Sequence, residues 1–341
     1  MIKINFFLNV LSIHQAPLIR KLSDSYHVNV FYDKPLSSHR KSLGWDIPEF
    51  GQANIYSIES INEYKLLDEM TSDTVNIFSG LNAYPSIHKL LKKCLRTNAS
   101  NYVQIESLKL DGIKGAIRKI KYKILAFNYN NQIDGILTQG GKIQLEKIGF
   151  NNVQEFVYYI DGIDDYAQIK NEITKFVYIG ALSKNKRILE LISLFPKNSC
   201  CSLDIYGSEL DVSLNTLRVL INSNPRITYK GVIPNKEVMK TLTHYDYLIL
   251  PSKTEGWGVV VSEALLSGVG VIVTETAGIS GYIHNKFSNH VHIEDFSKEN
   301  IISELLRSLS PLEPNDRKVI QKEAYFLSSE YGVEFITEYL T

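Results

Sequence analysis

The sequence predicts an α/β protein made of two doubly wound, parallel-sheet domains. Three observations carry this expectation. Short apolar β-type segments alternate with helix-length stretches, the pattern of parallel strands joined by covering helices. The alternation runs twice, on either side of a polar, turn-rich stretch near residues 160–173. A chain of 341 residues, 44% of them hydrophobic, is also long enough for two cores of about 150 residues each.

In the first half the strand segments are IKINFFL (2–8), VNVFY (28–32), TVNIFSG (74–80), YVQIES (102–107) and DGILTQG (134–140). In the second they are KFVYIG (175–180), SLDIYG (202–207), ITYKGV (227–232), YDYLILP (245–251) and GVGVIVTE (268–275). The domains are expected to be 1–165 and 166–315. The remaining segment, 316–341, reads as helix with Tyr325, Phe326, Tyr331, Phe335 and Tyr339 as apolar positions, packing back toward the first domain. Open α/β sheets bind ligands at the carboxyl ends of their strands, so the two Rossmann-like domains are expected to face each other across a ligand cleft.

Composition excludes several function classes. With 37 basic and 37 acidic side chains the chain lacks the basic surplus of a dedicated nucleic-acid binder. The three cysteines, Cys94, Cys200 and Cys201, form neither a disulfide framework nor a metal-ligand spacing, which fits a reducing cytosol. No apolar run approaches the roughly 20 residues of a membrane-spanning helix, and no cleavage signal follows the first apolar segment. The segment NVLSIHQAPL after the first strand has no glycine, and no G-x-x-x-x-G-K-[ST] occurs, so a dinucleotide-binding dehydrogenase and a P-loop NTPase are both disfavoured.

The stretch YDYLILPSKTEGWGVVVSEALLSGVGVIVTETAG, 245–278, carries the chemistry. A strand ends at Pro251, a polar loop bears Glu255, and Gly256-Trp257-Gly258 leads into a helix that starts near Val259 and stops at Gly268. The free N–H groups of residues 258–260 at the helix start favour an anion such as phosphate. Glu255 and Glu263 bracket that start. A carboxylate accepts two hydrogen bonds and therefore suits paired hydroxyls. The arrangement reads as a site for a sugar joined through a diphosphate to a nucleoside.

EGWGVVVSEALLSGVGVIV resembles the retaining glycosyltransferases of the GT-B fold, specifically family four, in its two glutamates separated by seven residues, the following Ala-Leu and the small-residue turn into an apolar strand. The resemblance extends through FVYIGALSKNKRILELISLF, SLDIYGSEL, ITYKGVI and LILPS, over about residues 175–310. In the first half, 105–140 and LEKIGF resemble a subgroup of bacterial surface-polysaccharide pathways.

The resemblance implies transfer of a glycosyl group from a nucleotide-diphospho-sugar to a hydroxyl of a glycan or lipid-linked oligosaccharide, with retention at the anomeric carbon. It implies that Glu255 contacts the transferred sugar, Glu263 the ribose hydroxyls, and the amides of Gly258, Val259 and Val260 the phosphate oxygens, with Trp257, Gly180 and Ile233 completing the donor site. Lys186 takes the family's lysine position on the diphosphate. Ala181 stands where the family usually has arginine, with Lys184 and Arg187 as the candidates to replace it. His14, at the end of the first strand, and Glu106, at the end of YVQIE, are the acceptor-side candidates. No metal or other cofactor is expected: D-x-D is lacking, and Asp161, Asp164 and Asp165 read as turn acids of the linker. Rival readings are a non-catalytic nucleotide-sugar-binding GT-B protein and a GT-B nucleotide-sugar epimerase.

One segment points to a membrane. In KLDGIKGAIRKIKYKILAFNY, 109–129, Ile113, Ile117, Ile120, Ile124 and Phe127 recur at three- and four-residue steps beside Lys109, Lys114, Arg118, Lys119, Lys121 and Lys123. The apolar stripe is expected to pack on the first sheet. The basic face is free for anionic headgroups or a lipid diphosphate, as on a peripheral protein of the cytoplasmic face, with a polyprenyl-diphosphate-linked acceptor.

Overall fold

The computed structural model describes residues 2–36, 47–163, 170–197 and 201–340. It divides into two compact units, one of residues 1–161 with 329–341 and one of residues 162–328.

The first unit is a seven-stranded parallel sheet of β1 (Lys3–Val10), β2 (His27–Lys34), β3 (Asn54–Ser57), β4 (Thr74–Ser79), β5 (Ser100–Glu106), β6 (Gly135–Gln139) and β7 (Val153–Glu155), in the order β3-β2-β1-β4-β5-β6-β7. The second is a six-stranded parallel sheet of β8 (Thr174–Ile179), β9 (Cys201–Tyr206), β10 (Ile227–Gly231), β11 (Tyr247–Leu250), β12 (Gly270–Thr274) and β13 (Val291–Glu294), in the order β10-β9-β8-β11-β12-β13. Strand order reverses between β1 and β4 in the first sheet and between β8 and β11 in the second. At such switch points adjacent loops diverge and leave a crevice at the carboxyl edge, so each unit has one favoured ligand position.

The interior strands are buried on both faces, which is why they read as continuous apolar runs. The ten expected strands are present. The edge strands β3, β7 and β13 have no counterpart in the sequence reading. All four residues of β13 are partly exposed and three of four in β3 are exposed.

One face of the first sheet carries an unbroken row of amides in register. Asn54 donates to Asn29 (3.1 Å), Asn29 to Asn5 (2.9 Å), Asn5 to Asn76 (2.9 Å) and Asn76 to Asn101 (3.1 Å), and Asn101 closes the row on the Ala99 carbonyl (2.7 Å). Two residues along, Tyr56, Phe31, Phe7 and Phe78 stack in a parallel row with ring centroids 4.4–5.3 Å apart.

The terminal segment is not one helix. Pro314–Glu323 belongs to the second unit, and the chain crosses to the first only at Ser329. The buried Asp246 carboxylate explains the division. It accepts from the Lys175 amide (2.8 Å), Asn171 (3.0 Å), the Leu312 amide (3.0 Å) and the buried Arg317 guanidinium (2.8 Å), which ties the helix to the amino-terminal ends of the central strands β8 and β11. The last helix, Ser329–Tyr339, lies in the first unit against Ala16–Leu22, where the Ser329 amide donates to the Ile160 carbonyl (2.9 Å).

Candidate functional site

In the second unit the switch-point loops after β8 and β11 are tied together. Asn185 donates to the Thr254 carbonyl (2.9 Å) and accepts from the Thr254 hydroxyl (3.0 Å), while its own carbonyl accepts from the Lys253 amide (2.7 Å). This clasp holds Lys186 against Glu255, and the two side chains form an ion pair. The buried Ser252 hydroxyl donates to the same Glu255 oxygen (3.2 Å). The Glu255 carboxylate is therefore fixed in orientation, while about one-fifth of the side chain remains exposed.

Gly258 starts the helix Val259–Leu266 at φ 90°, and a β-carbon there would meet Leu250 at 3.2 Å and Glu255 at 3.4 Å. A side chain would both strain the turn and displace the carboxylate. The amides of Gly258, Val259 and Val260 make no hydrogen bond among the described residues, so they are open donors at the positive end of the helix. Glu263 lies one turn further on. Its carboxyl makes no hydrogen bond among the described residues, and burial pushes it up to about 7.

Gly180 follows β8, and its amide donates to the Tyr206 carbonyl (3.0 Å). Gly207 passes so close that a β-carbon there would sit 1.8 Å from the Gly180 oxygen, which leaves glycine as the residue that fits. The Ala181 carbonyl accepts from the Tyr178 hydroxyl (2.8 Å). Lys184 is exposed and Arg187 takes a left-handed conformation at the start of the helix Ile188–Leu194. Ile233 follows β10 and is partly exposed. Trp257 turns inward: it is 3% exposed, its indole N–H donates to the Ser262 hydroxyl (3.2 Å), and its ring lies against Tyr282. Its side chain is spent on the core, and its carbonyl accepts from the Ile279 amide (3.0 Å).

The first unit holds its own cavity of about 550 Å³ at the carboxyl ends of β1, β4, β5 and β6. His14 and Glu106 both line it. The Tyr158 hydroxyl donates to Glu106 (2.5 Å), and the His14 ring lies 5.7 Å from the Tyr158 ring. Gln15 donates to Gln104 (2.8 Å) and Asn9 to the Tyr84 hydroxyl (3.0 Å) along the wall. Lys109, Arg118 and Tyr122 close another side, and Gln139 also lines the space. Sequence reasoning missed Tyr158, Asn185, Ser252 and Gln139. Their part comes from which neighbour they meet, and no local pattern encodes that.

The linker acids separate. Asp161 belongs to the first unit, pairing with Arg20 and accepting from the Ser329 hydroxyl (2.8 Å). Asp164 and Asp165 lie outside the described residues. Among the described residues no cluster of three or more His, Cys, Asp or Glu side chains could hold a metal ion, and no helix is long and apolar enough to cross a membrane.

The basic helix, Gly112–Tyr129, corrects the expected packing. It buries Gly115, Leu125, Ala126 and Tyr129. Ile113, Ile117, Ile120, Ile124 and Phe127 face outward and are 57–86% exposed. At about 100° per residue the five fall within about 40° of one meridian, opposite the buried positions. Lys114 and Lys121 flank that stripe on one side and Lys119 and Lys123 on the other. Leu125, Ala126 and Tyr129 join the core of the first unit, and Tyr122 packs against it. Arg118 turns back to donate to the Lys109 carbonyl.

Residues 163–325 match the family model for glycosyl transferases group 1. A protein of Bacillus subtilis (strain 168) assigned to teichuronic acid biosynthesis, the glycosyltransferase TuaC, is 32% identical over 117 residues, which are 34% of this chain and 28% of that relative's length. Two solved structures align over both units. HepE of Anabaena, in complex with UDP and glucose, superposes with a TM-score of 0.66 at 11% identity, over 100% of this chain and 99% of that one. The lipopolysaccharide outer core galactosyltransferase WaaB superposes at 0.69 with 14% identity, over 98% of each chain. The architecture is thus the GT-B fold, two Rossmann-like parallel-sheet units. The match to the glycosyl transferases group 1 model, residues 163–325, falls within its second unit.

Proposed function

We propose that the protein is a retaining glycosyltransferase that moves a sugar from a nucleotide-diphospho-sugar to a hydroxyl of a glycan or lipid-linked oligosaccharide in bacterial polysaccharide synthesis. The observation that carries this reading is the switch-point cluster of the second unit: the Lys186–Glu255 pair, three open helix-start amides and Glu263, whose carboxyl has no hydrogen-bond partner among the described residues. Glu263 accepts from the ribose diol, the amides of Gly258, Val259 and Val260 hold the diphosphate, and Glu255 orients the transferred sugar. Gly180, the Trp257 main chain and Ile233 border the nucleotide. When the anomeric carbon–oxygen bond to the diphosphate breaks, the acceptor oxygen bonds that carbon from the same face and its proton passes to the departing phosphate oxygen. Lys186 and the amides stabilise the charge that develops. His14 and Glu106 orient the acceptor from the first unit.

No divalent ion is required in this scheme, because Lys186 and the helix amides meet the diphosphate charge. The helix Gly112–Tyr129 holds the protein on an anionic membrane at the cytoplasmic face, which fits a polyprenyl-diphosphate-linked acceptor. Support comes from its exposed apolar stripe and flanking lysines.

Ala181, in the place of the family's arginine, favours one second reading, a nucleotide-sugar-binding protein without turnover. Incubation with UDP-, GDP-, ADP- and dTDP-sugars, with and without EDTA, tests both. Hydrolysis or transfer with at least one donor, undiminished by EDTA, is expected. Binding without turnover selects the second reading, and turnover lost on chelation and restored by magnesium or manganese overturns the metal-free scheme.

A further inference from the structure

Gln139 ends β6 and Gln144 lies in the helix that follows, Lys142–Ile148, and the two side chains differ in one respect. Gln144 is saturated: its oxygen accepts from the Leu108 amide (2.6 Å) and its nitrogen donates to the Leu108 carbonyl (2.8 Å). Gln139 is 1% exposed, and both its oxygen and its nitrogen are buried without a partner among the described residues. A buried amide left unmet carries the full desolvation penalty of both groups, so a native fold rarely keeps one without use.

The backbone around Gln139 is held on both sides. Glu155 accepts from the Gly140 amide (3.0 Å) and the Lys142 amide (3.1 Å), locking the turn that follows. In the sheet Gln139 is the register partner of Glu106, so the two side chains leave adjacent strands on the same face, and both line the 550 Å³ cavity. The cavity's other polar groups include the Glu106–Tyr158 pair and His14. A carboxamide offers one acceptor and two donors, and a carboxylate offers acceptors alone. Together they match a neutral ring that presents adjacent hydroxyls or an N-acyl group.

We infer that Gln139 is the specificity-determining contact for a saccharide unit of the acceptor, its carboxamide reading a neighbouring donor and acceptor on the sugar ring. This rests on the glycosyltransferase reading, so the test measures saccharide and nucleotide binding separately.

The full chain and its Gln139→Met variant are compared by thermal melting, by saturation-transfer NMR with the methyl glycosides of glucose, galactose and N-acetylglucosamine, and by calorimetry with UDP. The variant is expected to melt at or about 2–4 °C above wild type, since an unmet polar group is replaced by an apolar one of similar volume. It should lose at least tenfold in affinity for whichever glycoside wild type binds, while Gln139→Asn retains part of it and UDP affinity is equal in all three. A Met variant that melts below wild type shows that the amide is structurally satisfied, and overturns the inference. So does equal glycoside binding by the Met variant, or no glycoside binding by wild type. Failure of UDP to bind wild type overturns the donor-site reading instead and leaves the glycoside comparison to decide Gln139.

Discussion

Glu263 couples the stability of the second unit to the state that would bind a ligand. Its carboxyl sits at about 7 in the fold against 4.5 for the ordinary group, because burial disfavours the charge. Between those values the folded protein holds a proton that the unfolded chain has released, so the fold loses stability as pH rises from about 4.5 to about 7. A shift of this size corresponds to about 3 kcal/mol at pH 8, to order of magnitude. Glu263→Gln should therefore match wild type at pH 4.5 and exceed it at pH 8 in denaturant titrations. Donor affinity should run the other way, rising for wild type as the carboxylate ionises and staying flat for Gln. Calorimetry over pH 6–8 that finds parallel affinities would take Glu263 out of the ribose site. Residues such as Glu255 and Glu263 were legible because their spacing around a glycine turn is a local pattern. Gln139 was not, since an amide's lack of partners depends on which atoms four strands bring near it.

Among the elements, legibility followed burial. The interior strands announced themselves as apolar runs. The edge strands β3, β7 and β13 are short and partly exposed, so their residues carry no such signal. The helix Gly112–Tyr129 shows the opposite error. Its apolar period was plain, but periodicity states that a face is apolar and leaves open what covers it. The outward stripe gives a direct test. Changing Lys114, Lys119, Lys121 and Lys123 to Gln should weaken flotation with anionic liposomes by about 3–4 kcal/mol at low salt, at about 1 kcal/mol per cation. Wild-type flotation should itself fall as salt rises. Equal flotation of mutant and wild type would leave the helix without a membrane role.

For the whole molecule, chain order and spatial order differ at the end. The last eleven helical residues complete the first unit, where Gly332 comes so close to Leu18 and Tyr159 that a β-carbon would overlap both at 2.7 Å. Phe335 packs with Phe156 and Tyr159. Ending the chain at Ser328 should therefore loosen the unit made first rather than the one it is cut from. Hydrogen exchange should accelerate in β1–β7 and stay unchanged in β8–β13. Uniform acceleration in both sheets, or none, would contradict this division. The sequence reading grouped residues 316–341 together because helical period persists across Ser328, and the break there reflects the pull of Asp246 on one side and Ile160 on the other.

The amide row of the first sheet ties five distant stretches of sequence into one heritable unit. Asn29, Asn5 and Asn76 each donate to one neighbour and accept from the other. Losing Asn5, which is fully buried, deprives Asn29 and Asn76 at once, whereas losing the exposed Asn54 deprives Asn29 alone. Tolerance to substitution should therefore fall from the rim of the row to its centre, and a lineage that abandons the central amide has reason to exchange its neighbours for apolar residues as well. A one-residue slip of any strand would turn its amide to the opposite face, so the same row acts as a parity check on strand alignment while the sheet assembles.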